Sequence, residues 1–220
     1  MKRQGVLVLA VLAVMITGGC VGLVIGDGVQ MDGEPAAVNE ETVDETEFTF
    51  SEYRTVHLNE TVDVLGQERH INTTNHAVIY NRTSNLEQFD RDTGGFVVIS
   101  TPDVSIGGQS VNPAARMSNR ELVDQFQGEL ESQIGQIGEL REVSQRTEPM
   151  LGYAANVTVF ETETMIGDRN VTLYVHVTKV KHEGDLIAAI GVHPEALQQQ
   201  SPEISRMIRN VEHPVSAPGA

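Results

Sequence analysis

Tryptophan is missing from this 220-residue chain, cysteine occurs once and lysine three times. The single cysteine, Cys20, excludes an intramolecular disulfide and any zinc site built on several thiolates. The three lysines (Lys2, Lys179 and Lys181) and twelve arginines face 31 acidic residues, for a formal charge of −16. Lys2 and Arg3 are the only adjacent bases. A nucleic-acid partner is excluded, because phosphate binding needs clustered Lys and Arg that release counterions. The patterns G-x-S-x-G, H-E-x-x-H and G-x-G-x-x-G do not occur, and the seven histidines are scattered with none at metal spacing. The expectation is therefore no metal and no cofactor.

What is abundant is acid. It is spread from Asp27 to Glu212 with no acidic tail. Diffuse acid with almost no lysine suits a protein of molar salt. There the Debye length falls to about 3 Å and self-repulsion nearly vanishes. At low salt the same charge strains the compact state.

The N-terminus reads as a secretory signal. Met1 to Gln4 carries the positive charge, and Val6 to Ile16 is an unbroken apolar run of eleven residues. Thr17-Gly18-Gly19-Cys20 then has the order of a lipobox, with Thr17 where Leu is usual. The expectation is a signal peptide over residues 1–19, a lipid on Cys20 and an acidic tether over residues 20–46. The mature chain would keep 13 bases and all 31 acids, a charge of −18. A second reading stays open. Gly5 to Gly26 has 22 uncharged residues, enough to span a bilayer core of about 30 Å as an uncleaved anchor. Five glycines in that span weaken such a helix. Either way the rest of the chain sits outside the cell, tethered to the membrane.

A single domain is expected over residues 47–213, followed by a flexible tail over residues 214–220. Within the tether, one short helix fits Asn39 to Asp44. Glu47 to Leu58 alternates as a strand, and Thr61 to Thr73 reads as a hairpin turning at Gly66-Gln67. Phe96 to Thr101 is apolar and β-branched, a central strand. Ser118 to Glu121 has the spacing of a capping box, and Leu122, Val123, Phe126 and Leu130 follow at helical spacing. Strands over 139–148, 154–165, 171–182 and 185–193 follow. A closing helical stretch from Pro194 is divided near Pro202. By parity Phe160, Leu173, Val175, Val177, Ala188, Ile190 and Val192 share one face. The fold class expected is α+β, an antiparallel sheet packed by two main helices.

Gly19-Cys20-Val21-Gly22, Gly66-Gln67-Glu68-Arg69, Ser100-Thr101-Pro102, Gly108-Gln109 with Asn112-Pro113, and Leu151-Gly152 carry a resemblance over most of the chain. They resemble an uncharacterised family of secreted lipoproteins from halophilic archaea. That resemblance implies location and fold, and no chemistry. More remotely, the order of elements is similar to the PsbP-like α/β sandwich, a fold that hosts binding and assembly factors more than enzymes. Fold analogy alone does not carry a function.

Few residues gather as candidate sites. A four-residue turn at 167–170 would set Glu161 opposite His176 and Glu163 opposite Tyr174. A carboxylate beside an imidazole can work as an acid/base pair. It can equally be a cross-strand polar pair stabilising the hairpin by about 0.2–1 kcal/mol. Asp90 to Gly95 is a fragment of a calcium loop that lacks its remaining oxygen ligands. Gly107-Gly108 reads as a tight turn. Sequons at Asn59, Asn72, Asn81 and Asn170 are candidate glycosylation sites, with Asn81 and Asn170 placed near turns; a fifth, Asn156, falls mid-strand. The function expected is a lipid-anchored extracytoplasmic binding or assembly module, not an enzyme, with an unknown protein or small-molecule partner. The alternatives are a carboxylate-based hydrolase of cell-surface substrates and a solute-binding component of a transporter.

Overall fold

A computed structural model describes residues 28–64, 67–83, 92–103, 105–106, 109–110, 112–125, 127–128, 137–166, 168–198 and 200–219. Cys20, the apolar run before it and the Gly107-Gly108 turn lie outside the described residues, as do Asp90 and Arg91 of the calcium-loop fragment.

The dominant element is one eight-stranded sheet. A hairpin of β3 (Phe48–Val64) and β4 (Gln67–Thr83) has two 17-residue arms. β5 (Asp92–Pro102) pairs with β4 through residues 76–83 and hands the sheet to the C-terminal meander. That meander runs β8 (Arg141–Met150), β9 (Tyr153–Ile166), β10 (Arg169–His182) and β11 (Asp185–Pro194), with β11 closing on β5. β1 (Gly28–Asp32) pairs with residues 70–74 of β4 and is parallel to it. Because β3 lines the other side of β4 throughout, β1 continues the edge that β5 leaves.

The expected α+β class, an antiparallel sheet packed by two main helices, is therefore corrected. The molecule is mostly β, with a mixed sheet, and is not a helix-packed sandwich. The parallel strand comes from the acidic segment read as tether. Its alternation is short and its charge hides it, yet Met31, Ala36, Ala37 and Val38 are buried. The folded unit thus begins before residue 47. Within it α1 (Glu40–Glu45) forms at the expected place, capped by Asn39 Oδ1, which accepts from the N–H groups of Glu41 and Thr42 at 3.0 and 3.4 Å. Short pairs β2 (Ala37–Val38) with β12 (Val211–Glu212), and β6 (Ser105–Ile106) with β7 (Gln109–Ser110), lie outside the main sheet.

Two apolar clusters lie on opposite faces of the sheet. One carries the apolar set expected from parity, Phe160, Leu173, Val175, Val177, Ala188, Ile190 and Val192, packed with Leu122, Val123 and Leu140. Leu122 and Val123 belong to α3 (Asn119–Gln125), which follows the short α2 (Pro113–Arg116). The Ser118–Glu121 box caps α3: the Ser118 N–H donates to Glu121 Oε2 at 2.7 Å, and the Glu121 N–H to Ser118 Oγ at 3.2 Å. The other face packs Val78, Tyr80, Phe96, Val98, Val157, Ile187 and Ala189 against Ile204, Met207 and Ile208. Those three lie on α4 (Gln200–Arg209), which a 3₁₀ turn over Glu195–Leu197 precedes. Pro202 is tolerated in the first turn of α4, where its missing N–H would find no helical partner. All ten residues of β11 are buried. A Cβ on Gly191 would lie 2.7 Å from Ile204 Cγ2, so glycine there sets how closely α4 approaches the sheet.

Candidate functional site

The site grows from the strand register. Ile166 pairs with Arg169, so the β9–β10 hairpin closes more tightly than expected. The pairing is displaced by two residues from the expected four-residue turn. A two-residue slip keeps every side chain on its expected face and changes its partner. Glu161 stands opposite Tyr174, and His176 opposite Val159. The expected Glu161–His176 pair is thus corrected: Glu161 binds Arg141 at 2.7 Å, while His176 is 1% exposed and turns towards another group.

That group is His193. Tyr174 faces His193 directly across β10 and β11, so His176 and His193 meet on the diagonal, Nε2 to Nε2, at 3.1 Å. Two further contacts fix the protons. His193 Nδ1 lies 2.9 Å from the Pro194 carbonyl oxygen, which only accepts, so Nδ1 carries the hydrogen. His193 Nε2 is then the acceptor, and His176 Nε2 must donate to it. His176 Nδ1 is left as the acceptor, and Arg146 Nη2 donates to it at 3.1 Å. The chain of donors runs from Arg146 through His176 and His193 to Pro194, with both rings neutral. Burial, then the neighbouring His193, then Arg146 push His176 down to about 3. Burial chiefly pushes His193 down as well, against the Pro194 hydrogen bond.

Arg146 is held in turn. Its Nη2 also donates to Ser205 Oγ at 3.0 Å, and its Nε to Glu148 Oε1 at 3.0 Å. Glu148 Oε2 accepts from Arg209 Nη1 at 2.9 Å. Burial raises the Glu148 carboxyl, but hydrogen bonds from Arg146, Ser205 and Arg209 outweigh it and hold the group below its usual range. These residues line a cleft of about 600 Å³ between β8–β11 and the start of α4. Val159 and the Tyr174 ring, tilted 42° against His193, give it an apolar wall. Arg146, Gln198, Ser201 and Arg209 give it polar groups. Ser205 is engaged by Arg146 and Glu148 rather than by an imidazole, so the arrangement offers directed hydrogen bonds rather than an activated hydroxyl. A second hollow of about 490 Å³ beside α1 is lined by Glu45, Arg206 and the Asn39 cap. In it Arg206 is paired with Glu45 at 3.0 Å.

The sequons fall in several settings. Asn59 and Asn72 pair across the exposed β3–β4 arm, and Asn170 is exposed at the start of β10. Asn81 is half-buried within β4, two residues before its last residue, and donates to Ser51 Oγ at 3.2 Å. Among the described residues no group of three or more His, Cys, Asp or Glu converges on one point. Sequence reasoning missed Arg146, Glu148, His193, Ser205 and Arg209. The available signal was parity: Arg146, His176 and His193 all fall on the face opposite the apolar stripe of the meander.

Residues 35–212 match a family described as a domain of unknown function, DUF6517. No curated protein matches the chain. Among solved structures it is similar to cyanobacterial PsbP (CyanoP) from Synechocystis sp. PCC 6803, at 11% identity and a TM-score of 0.37. That similarity covers 82% of this chain and 92% of the other.

Proposed function

The chain belongs to the DUF6517 family, and we propose that it is a membrane-anchored extracytoplasmic binding module of a salt-adapted cell surface. The observation that carries binding is the Arg146–His176–His193 hydrogen-bond chain in a cleft of about 600 Å³. Its donors and acceptors have fixed directions, and the Tyr174 ring lies beside them. Such a lining suits a small polar molecule with one apolar face. Glu148 is the one carboxylate among the described residues that line the cleft, whereas the hydrolase alternative needs a second carboxyl beside it, which does not favour that alternative here.

The anchor rests on the sequence alone. Cys20 follows a positive start, an apolar run and two glycines, and its resemblance to lipoproteins of halophilic archaea supports the same placement. A diacylglyceryl group carries two acyl chains, which suffice for stable attachment. The acid excess supports a salty exterior.

Two measurements test this reading. Replacing Cys20→Ser should release the protein or leave its precursor uncleaved; membrane retention at precursor size would favour the signal anchor instead. For the cleft, a thermal-shift screen of sugars and amino acids in molar KCl should find a ligand whose stabilisation Tyr174→Ala removes. A stabilising ligand indifferent to Tyr174→Ala and Arg146→Ala would place binding elsewhere.

A further inference from the structure

A second imidazole pair lies where the β10–β11 turn meets the C-terminal segment. His182 ends β10 and Asp185 begins β11, joined by Glu183 and Gly184 at φ 48° and 93°. His213 follows β12, and its Nδ1 lies 3.0 Å from Nδ1 of His182. On its far side His213 Nε2 lies 3.0 Å from Asp185 Oδ2. That same oxygen accepts the Glu34 backbone N–H at 2.8 Å and the Ser100 hydroxyl at 3.4 Å. Oδ2 therefore acts as an acceptor, and His213 Nε2 carries a hydrogen. Its Nδ1 presents a lone pair to His182.

The two histidine pairs have similar spacing and opposite chemistry. At His176 the group behind the ring is a donor, Arg146, so the nitrogen facing the second imidazole must carry hydrogen. A cation there would also stand beside a guanidinium. At His213 the group behind is a carboxylate, so the nitrogen facing the second imidazole is free to coordinate. A carboxylate behind a histidine, fixing its tautomer and raising its basicity, is the usual support of a metal-ligating imidazole. The spacing also fits. Metal–nitrogen bonds of about 2.0–2.1 Å put two ligands about 3.3 Å apart in a tetrahedral site and about 2.8 Å apart in a tetragonal one. The observed 3.0 Å lies between the two.

We propose that His182 Nδ1 and His213 Nδ1 form a two-nitrogen clip for Cu²⁺ or Zn²⁺, oriented by Asp185. On binding, His182 carries its hydrogen on Nε2 and both Nδ1 lone pairs go to the metal, which gives up two waters. The His213 side chain is 1% exposed, while His182 is half-exposed and packs edge-on against the exposed Tyr153, so a metal would be reached from the His182 side. The clip joins the β10–β11 turn to a segment that already crosses to Pro35 through the Val215 N–H at 2.9 Å. Bound metal therefore fastens the C-terminal segment to the sheet.

The test is Cu²⁺ titration of the full chain in detergent micelles and molar KCl, followed by calorimetry and electron paramagnetic resonance. One site with nitrogen hyperfine structure is expected, and Zn²⁺ should compete for it. His182→Gln should weaken that site at least ~10-fold, with His182→Phe reporting the same loss if the Gln variant unfolds. Asp185→Asn should weaken it about 10–100-fold without changing the stoichiometry. Three results would overturn the clip: a wild-type spectrum without nitrogen ligands, undiminished affinity in both folded His182 variants, or a loss in His176→Gln in their place.

Discussion

His176 and His193 touch through their Nε2 atoms at 3.1 Å, and the carbonyl of Pro194 and the guanidinium of Arg146 at the two ends allow one arrangement of hydrogens between them. Protonating His176 would put a second hydrogen on Nδ1, directly against a donor. The pair is thus neutral because of its neighbours as well as its burial.

Stability should fall as acid is added. The unfolded chain takes a proton on His176 as pH drops through about 6.5. The folded chain resists until about 3. Between those values the unfolded state binds more protons, so this contribution is fully present above pH 6.5 and is lost on the way down, by on the order of 1.4 kcal/mol per unit. Urea unfolding from pH 7 to 5 in molar KCl should show a flatter slope for His176→Gln. An unchanged slope would mean that His176 is not the group responsible.

Arg146→Met removes the donor to His176 Nδ1, to Ser205 and to Glu148 together. Buried acceptors left without a partner cost about 1–3 kcal/mol each, and partial exposure of the arginine moderates the sum. A destabilisation of about 2 kcal/mol is expected by denaturant titration. A double-mutant cycle with Glu148→Gln should show coupling, because the two share one network.

Gly191→Ala should cost about 1–3 kcal/mol through overpacking against Ile204. The measurement is the shift of the denaturation midpoint. Combining it with Ile204→Val, which removes one methylene from the contact, should recover part of the loss. A neutral Gly191→Ala would show that α4 moves away from β11 freely.

The net charge of −16 predicts a salt dependence. Lowering KCl from molar to millimolar lengthens the Debye length from about 3 Å to tens of ångströms, and carboxylate repulsion grows accordingly. The melting temperature should drop across that range. A melting curve indifferent to salt would remove the reading of the acid as salt adaptation.

Much of the sheet was legible in the sequence, because its signal is local. The short helix after Asn39, the Ser118 box and the apolar parity of β9–β11 each depend on neighbours within a few residues. The mixed topology was not legible, since β1 is five residues of an acidic stretch whose partner lies some forty residues on. The candidate site was half legible. Parity put Glu161 and His176 on the correct face, and turn length decided their partners. His176 with His193, and His182 with His213, are separated by 17 and 31 residues, so no spacing rule for metal or catalytic histidines would gather them.

The most direct test of the site is the nitrogen spectrum of its two rings. With ¹⁵N-labelled imidazoles in molar KCl, His176 should carry hydrogen on Nε2 and His193 on Nδ1, and His176 should not titrate between pH 8 and 5. A midpoint near 6.5 for His176, or hydrogen on its Nδ1, would contradict the hydrogen-bond chain on which the proposed binding site rests.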